Sequence, residues 1–472
     1  MPVRNSTSRA ALAVLSMAQF LIALDYSIIY VALPHIADEL HIELTFTQWI
    51  VSAYAVLFAG FLVVGGRLSD LVGARRLFIV AIVTFGVASA VGGTAGDGSV
   101  LLAARGAQGL GAAVLQPAVL ALIGTTFPAG PSRNRALAVW GAVGALGLAA
   151  GAILGGLLTT VSWRLVFVVN VPLTILCAFG AAVWVTSAGD HPRADRIPVL
   201  ASVLGTGTVL ALVVGLTLGP GVGWGAAPTS ACLGLALVLF LVFLRNERTS
   251  PNALIEPVLR ETLPLRVGAG ATALYMASVG SEFFLFTLLL QSAKGYSPLR
   301  TGLAFLPLAV LITVGNTAAG RVVRRYRPST VLAGGFAVAA VGLLWLGLAL
   351  HGDSYLVDLL PGLLLSGFGH GLIYTAMFIV GTGDVPTAHQ GTAGALLTTS
   401  QYLSGAVTLA VLTPVLGRSP HEGDFRTGFL LTAGAAVAGL VLAALARRRP
   451  EACPDPSGAG VVSPTTDRRT LR

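Results

Sequence analysis

Charged side chains are scarce in this chain of 472 residues: Asp, Glu, Lys and Arg together make up 10% of it. A soluble protein of this length carries about 25% charged residues, because its surface faces water. Apolar residues make up 55% of the chain and lie in runs of about 20 residues, the length that crosses a bilayer as a helix. The composition therefore excludes a soluble globular protein and indicates a protein that crosses a membrane many times.

Lysine and cysteine are also nearly absent. Lys294 is the one lysine among 29 basic residues, and Cys177, Cys232 and Cys453 have neither a metal-binding nor a disulfide spacing. The net charge of +9 lies in short clusters between apolar runs, a pattern that sets membrane topology and argues against nucleic-acid binding. The sequence contains no GxxxxGK[ST] phosphate-binding loop. We therefore expect no ATP, no metal and no other cofactor, with a proton gradient as the energy source.

Fourteen apolar runs are long enough to span a bilayer, the first from near Ala10 and the last from near Thr427. An even number of spans puts both termini on one side of the membrane. On that side lie 23 of the 29 basic residues, while five lie on the other side and Arg105 lies within a run. Basic residues favour the cytoplasmic side, so both termini are predicted to be cytoplasmic.

The chain repeats weakly, because GRLSDLVGARR follows the second apolar run and GRVVRRYRP follows the tenth. The repeat predicts an all-α polytopic membrane protein of 14 helices arranged as six, two and six. The predicted parts are an N-terminal six-helix bundle (1–190), a two-helix insertion (191–262), a C-terminal six-helix bundle (263–447) and a disordered cytoplasmic tail (448–472). Repeated halves around a central site are a common plan of secondary transporters.

Three ionisable residues interrupt the apolar runs: Asp25, Arg105 and Glu282. A charge at the centre of a bilayer costs about 2.5–3.5 kcal/mol, so such residues normally pair or line a wet cavity. At the helical rise per residue, all three lie about 9–13 Å below the outer helix ends. We therefore predict that they line one central cavity and couple transport to protons. The alternatives are a static Asp25–Arg105 pair that only joins two helices and a protonated Glu282 that is hydrogen-bonded within the bundle.

The neighbours of these charges predict a lipophilic, often cationic substrate. Gln108 follows Arg105 by one helical turn, so both side chains share a face. Glu282 lies among phenylalanines, whose aromatic faces attract cations while the carboxylate supplies the counter-charge. His370, in SGFGHGLIY, is expected to be a packed, satisfied histidine in preference to a proton relay. The predicted substrate cavity is lined by Asp25, Gln108, Glu282, Phe283 and Phe286.

The loop GRLSDLVGARR predicts a gate on the cytoplasmic side. Gly66 and Gly73 would allow a tight turn. Asp70 would either accept hydrogen bonds from nearby main-chain N–H groups or pair with Arg75 and Arg76. A plain basic loop that only sets the topology is the alternative.

The fifth apolar run, GAVGALGLAAGAILGGLL, has small residues at helical spacing. The glycines concerned are Gly147, Gly151, Gly155 and Gly156. Small residues at this spacing let two helices touch main chain to main chain. We therefore predict a close packing seam, which is either a generic contact or part of an export motif.

Four segments occur in a recognisable order: LDYSIIYVALP, GRLSDLVGARR, RGAQGLGAA and WRLVFVVNVP. Over all but the tail, the sequence resembles the fourteen-helix drug:proton antiporter branch of the major facilitator superfamily. The resemblance implies a monomeric multi-pass protein of the bacterial cytoplasmic membrane, a transporter and not an enzyme. Its expected function is export of lipophilic drugs or antibiotics by alternating access, driven by protons. In that family the arginine and acid at the positions of Arg105 and Asp25 are implicated in proton transfer and function.

The sequence also departs from the family's patterns. Ala74 stands where the loop usually has a basic residue, and Arg324 stands in the second loop where Asp70 stands in the first. Ala152 follows Gly151, where the export motif usually has a proline. This last departure keeps open a proton-coupled symporter or uniporter of the same fold for a metabolite. A membrane-embedded transferase is a minor alternative, because the sequence has no matching cluster of His, Asp and Ser.

Overall fold

The computed structural model describes residues 2–42, 44–185, 198–250, 253–350, 354–416 and 421–447. Within these ranges, 14 helices are long and apolar enough to cross a membrane, which confirms the predicted number. They are α1 (Pro2–Leu40), α2 (Leu44–Val72), α3 (Ala74–Gly93), α4 (Gly98–Thr126), α5 (Pro131–Thr159), α6 (Leu165–Trp184), α7 (Val199–Val222), α8 (Ala227–Thr249), α9 (Leu263–Leu288), α10 (Leu306–Val322), α11 (Pro328–Leu348), α12 (Leu360–Thr382), α13 (Gln390–Leu416) and α14 (Glu422–Arg447). The predicted tail, 448–472, lies outside the described residues.

Short elements adjoin several of these helices. The turns of helix Pro257–Glu261, Pro298–Ala304 and Thr387–His389 precede α9, α10 and α13, respectively. A π-helical turn, Leu289–Ala293, follows α9, and a second, Tyr355–Leu359, leads into α12. Helix α6 consists of two segments, Leu165–Val168 and Asn170–Trp184. The second segment begins at a buried asparagine that belongs to the site described below.

Helices α1–α6 pack on one another, and so do helices α9–α14. The two groups meet where α2 contacts α13 and where α5 contacts α10, and α4 also contacts α13. Helix α7 packs on α2 and α13, and α8 packs on α7. Several large apolar side chains of α8 are exposed, as suits a surface that faces lipid: Leu235, Leu237, Val238, Phe240, Leu241 and Val242. The residue boundaries proposed for the bundles and the insertion stay a prediction.

A cluster of polar side chains lies at the end of the bundle away from the arginine-rich loops. Glu39, beyond the membrane-spanning part of α1, accepts a hydrogen bond from Trp163 Nε1 at 2.7 Å and pairs with Arg164. Arg164 also donates to the main-chain oxygen of Ala95 at 3.1 Å. The pKa of the Glu39 carboxyl lies below its usual range, mainly because of the hydrogen bond from the Arg164 guanidinium and next because of the one from the Trp163 indole. These bonds tie α1 to the start of α6.

The glycine seam of α5 packs against α1. A Cβ added to Gly147, Gly151 or Gly155 would lie 2.6, 2.6 and 2.9 Å, respectively, from a main-chain oxygen of α1. At Gly151 it would also lie 1.9 Å from Ser27 Oγ, which donates across the seam to the Leu148 carbonyl at 2.9 Å. Gly156, on the same helix, is half-buried. The two main chains therefore approach as closely as the spacing predicted.

Substituting Gly151→Ala should destabilise the protein by about 1–3 kcal/mol, because a methyl group there overpacks against main-chain atoms that cannot move aside. Gly234→Ala is the matched control, since a Cβ at Gly234 on α8 would meet nothing within 4 Å. The measurement is the thermal unfolding midpoint of the purified protein in detergent. Equal midpoints for the two variants would contradict the close approach of α1 and α5.

Candidate proton and substrate site

Asp25 forms the centre of a buried polar network in the N-terminal half. Its carboxylate is 1% exposed and accepts three hydrogen bonds. Arg105 Nη1 donates to Oδ2 at 2.7 Å, while Gln108 Nε2 and Asn170 Nδ2 donate to Oδ1 at 3.0 and 2.8 Å. Gln108 Nε2 also donates to Ser89 Oγ at 2.7 Å. Four helices, α1, α3, α4 and α6, therefore meet in one hydrogen-bond network around this carboxylate.

Arg105 is as deeply buried as its partner, with 1% of its side chain exposed. Its Nη1 also donates to Gln108 Oε1 at 3.0 Å, and its Nε donates to the main-chain oxygen of Ile50 at 3.3 Å. The guanidinium carbon lies 4.5 Å from the centre of the Tyr54 ring, a cation–π geometry. Two opposite charges thus compensate one another in a place where either charge alone would be costly.

Glu282 lies in a second cluster, formed by α9 and α12 of the C-terminal half. Ser366 Oγ donates to Glu282 Oε1 at 2.5 Å, and His370 Nδ1 lies 3.3 Å from Glu282 Oε2. Ser278 Oγ lies 3.1 Å from His370 Nε2. All four side chains are fully buried, with no exposed area for Glu282 and His370. Glu282 therefore has a basic partner on a neighbouring helix, which its own helix did not reveal.

The structure brings Asp25, Arg105 and Gln108 together and places Glu282 in the other half. In the part of the chain that the structure describes, the Asp25 and Glu282 clusters make no direct contact. Aromatic rings lie between them and cross the boundary of the halves. The ring centres of Phe58 and Tyr402 are 4.6 Å apart, and those of Trp140 and Tyr374 are 5.6 Å apart.

These rings also reach the two clusters. Tyr54 stacks on Phe58 at one end, beside Arg105. At the other end, Tyr275 lies 5.5 Å from Tyr374 and 5.7 Å from His370, measured between ring centres. The sequence prediction had named only the phenylalanines beside Glu282 and missed this set. Aromatic residues scattered over five helices give no pattern along a single run.

Phe283 and Phe286 both pack on Phe305, which lies just before α10. Phe283 stacks on it at 4.9 Å, and Phe286 meets it edge to face at 5.1 Å. Phe283 is half-buried, while Phe286 has no exposed surface. Phe283 is therefore partly accessible, and Phe286 is part of the packed interior.

Asp70 joins the two halves at the arginine-rich end. Its carboxylate accepts from the main-chain N–H groups of Gly391 and Thr392 at 3.0 and 2.9 Å, and from Thr392 Oγ1 at 2.6 Å. A negative charge is favourable there, because the N–H groups at a helix start have no partners within the helix. Of the two predicted alternatives, the main-chain contact is the one observed. Arg75 donates instead to a main-chain oxygen of α6 at 2.7 Å, and Arg76 is exposed.

Only one of the two loop glycines lies at a turn. Gly73 separates α2 from α3 with a φ of 105°, a conformation that favours glycine. The expectation of a turn at Gly66 was wrong, because this residue lies inside α2. A Cβ on Gly66 would lie 2.5 Å from Ala395 Cβ and 2.8 Å from the Gly391 oxygen. Gly66 therefore permits the close contact of the two halves at α2 and α13.

A second contact at this end involves the segment between α8 and α9. Glu256, in this segment, pairs with Arg67 of α2, and Glu256 Oε2 lies 3.2 Å from Nε2 of His389 before α13. The chain that follows the two-helix pair thus supplies a charge to the junction of the halves. Sequence reasoning missed this contact, since Glu256 is a single acid in PNALIEPVLR and has no motif around it.

No cluster of three or more His, Cys, Asp or Glu side chains that could hold a metal ion occurs in the described residues.

The sequence analysis also missed two residues of the Asp25 network, Asn170 and Ser89. Asn170 interrupts the apolar run of α6, so its polarity was a signal that could have been read as an Asp25 ligand.

Comparisons with known proteins agree with this architecture. Residues 15–199 and 192–409 match the Major Facilitator Superfamily. The cephamycin export protein CmcT of Amycolatopsis lactamdurans is 36% identical over 463 residues, 95% of each chain. The puromycin resistance protein pur8 of Streptomyces alboniger is 35% identical over 86% of this chain and 81% of its own. The fold is also similar to that of the proton:xylose symporter XylE, with a TM-score of 0.69 over 95% of this chain and 97% of that chain, at 13% identity.

Fourteen apolar helices, the matched residues and the bacterial relatives agree on one class of protein. The chain is a multi-pass protein of the bacterial cytoplasmic membrane. It belongs to the Major Facilitator Superfamily, in the branch whose relatives named here export antibiotics or confer resistance to them.

Proposed function

We propose that the protein is a proton-coupled exporter of lipophilic, often cationic drugs or antibiotics that works by alternating access as a monomer. The observation that carries the coupling is the buried Asp25–Arg105 pair with its amide ligands. The direction follows from the relatives, which are named for export and resistance. Both termini and the arginine-rich loops face the cytoplasm in this proposal, as the distribution of basic residues predicts.

Coupling follows from the charge balance of this pair. A proton that neutralises Asp25 leaves the Arg105 guanidinium buried and uncompensated, which costs about 3–5 kcal/mol. The N-terminal half must then rearrange so that Arg105 finds water or another anion. Proton binding and conformational change are therefore linked at one residue. Each proton that returns inward releases about 2.3 kcal/mol per 100 mV.

The chemistry of the substrate follows from the aromatic rings between the two clusters. Tyr374 and Tyr402 are half-buried and come from different helices of the C-terminal half, facing Trp140 and Phe58 of the other half. Ring faces attract lipophilic and cationic molecules, and Glu282 can balance a positive charge. This lining favours organic compounds over sugars or inorganic ions.

Closure at the arginine-rich end supports alternating access. Asp70, on α2, holds the start of α13, and Gly66 lets these helices touch. On the other side of the molecule, a Cβ on Gly320 of α10 would lie 2.6 Å from Ala138 Cβ of α5. The halves thus meet at two seams at this end, and both must separate for a substrate to enter from the cytoplasm.

A proton symporter or uniporter of the same fold is the competing function, because Ala152 replaces the proline of the export motif. The likeness to a proton:xylose symporter concerns the fold alone at 13% identity. Relatives that cover most of both chains are named for export and resistance, which supports the exporter.

Replacing Asp25→Asn should abolish proton-driven ethidium transport in proteoliposomes and lower the thermal unfolding midpoint. The reason is that the variant cannot bind the proton and leaves Arg105 without its counter-charge. The matched control is the double variant Asp25→Asn with Arg105→Gln, which removes both charges. It should recover the midpoint and remain inactive, and transport at the wild-type rate by this variant would contradict a role of the pair in coupling.

Linking α5 to α10 should stop transport reversibly. In a background without native cysteines, Ala138→Cys and Gly320→Cys place two thiols at the observed contact, where their Cβ atoms would lie 2.6 Å apart. A disulfide spans about 3.5–4.5 Å between Cβ atoms, so α5 and α10 must move apart by about 1 Å before oxidation joins the thiols. Ethidium transport should fall to the level of empty liposomes on oxidation and return on reduction. The two single-cysteine variants are the controls, and full transport by the cross-linked protein would refute the opening of this seam.

A further inference from the structure

We propose that His370 and Glu282 hold one proton between them and form a second proton-carrying site, in the C-terminal half. The inference rests on the proposed function and names the group with which Glu282 exchanges its proton. The sequence had suggested a packed histidine at position 370 and gave Glu282 no basic partner.

The geometry places two proton acceptors face to face. His370 Nδ1 lies 3.3 Å from Glu282 Oε2, an ion-pair distance, and neither atom has a hydrogen-bond partner in the described residues. Both side chains have no exposed surface. Ser366 Oγ fixes the other carboxylate oxygen at 2.5 Å, so Glu282 cannot turn away without losing a short hydrogen bond.

Ser278, on the side of the imidazole away from Glu282, shows which ring nitrogen of His370 carries hydrogen. Ser278 Oγ has one hydrogen, and its shorter contact, 2.8 Å, is to the main-chain oxygen of Tyr275. Because that hydrogen is used there, Ser278 Oγ accepts from His370 Nε2 across the 3.1 Å contact. In the neutral ring only one nitrogen carries hydrogen, so Nδ1 then presents a lone pair to Glu282.

A lone pair and a carboxylate oxygen at this distance in a dry interior repel unless the pair takes up a proton. The pair therefore holds one proton, written either as a neutral acid with a neutral imidazole or as a carboxylate with an imidazolium. Either form has no net charge, so the buried site is stable with the proton present. When the proton leaves, the site carries one negative charge, which an organic cation can balance.

The surrounding groups do not supply that charge balance. Among the described residues, the titratable side chains near the pair are Tyr275 of α9, Tyr374 of α12 and Tyr402 of α13, and each is an uncharged phenol unless it loses a proton. Helix α14 also packs on α9, and its charged residues lie at its two ends among the described residues. The Asp25–Arg105 pair is already balanced within itself. Either a proton or an organic cation must therefore occupy the Glu282 site.

The proton can be located directly by nitrogen NMR of the full-length protein labelled at its seven histidines, with His370→Gln used to assign the signal. We expect His370 to carry hydrogen on Nε2 and to show a shared or bound proton at Nδ1. In Glu282→Gln, the amide of the new side chain donates to Nδ1, so the signal should become that of a neutral Nε2–H ring. A wild-type ring with hydrogen on Nδ1 and a bare Nε2 would overturn the proposal.

Transport provides the second readout, with ethidium as the probe in proteoliposomes that carry an imposed pH gradient. His370→Gln keeps a hydrogen-bonding side chain but cannot carry a proton, so the proton-driven rate should fall at least about tenfold and its dependence on pH should flatten. His421→Gln is the control, because this histidine lies in an exposed position outside the network. Wild-type pH dependence in His370→Gln would exclude the second site. If wild-type protein itself shows no proton-driven transport, the proposed function fails, while the NMR result still decides where the proton lies.

Discussion

The cost of a buried charge is the constraint on which this structure depends. In an apolar interior, an ion is tolerated only when an opposite charge and hydrogen-bond donors accompany it. Asp25 satisfies this condition through Arg105, Gln108 and Asn170, which come from two other helices. The same interactions that make the charge tolerable also make it responsive, because adding one proton upsets the balance of the whole network. In the proposed mechanism, stability of the N-terminal half and energy coupling are thus two consequences of one arrangement.

The two halves solve this problem differently. In the N-terminal half the counter-ion is an arginine, which stays charged under all relevant conditions. In the C-terminal half it is a histidine, whose imidazole exists in a neutral and a protonated form. Aromatic rings lie between the two pairs, and Asp70 joins the halves at the end that carries the arginine-rich loops. In the proposed mechanism, the substrate binds between the Asp25–Arg105 pair and the Glu282–His370 pair. An organic cation can then replace a proton at Glu282 without exposing an unpaired charge to lipid.

The sequence predicted what depends on composition and local spacing. The number of spans follows from the length of the apolar runs, and the glycine seam of α5 follows from helical periodicity. The meeting of Asp25 with Arg105 and Gln108 follows from the cost of burying a lone charge. Contacts between distant helices could not be predicted in this way. The pairing of Glu282 with His370 joins residues 88 positions apart, and Gly66 proved to be a packing residue because its partner lies on α13. Glu256 reaches Arg67 through tertiary structure alone.

The central claim is that an organic cation and a proton compete for the buried Glu282–His370 pair. The most direct measurement is the release of protons by purified protein in unbuffered detergent solution when ethidium is added. Wild-type protein should release protons in proportion to the bound ethidium, and a variant with Asp25→Asn and Glu282→Gln should release none. Binding of ethidium to the wild type without any proton release would contradict the account.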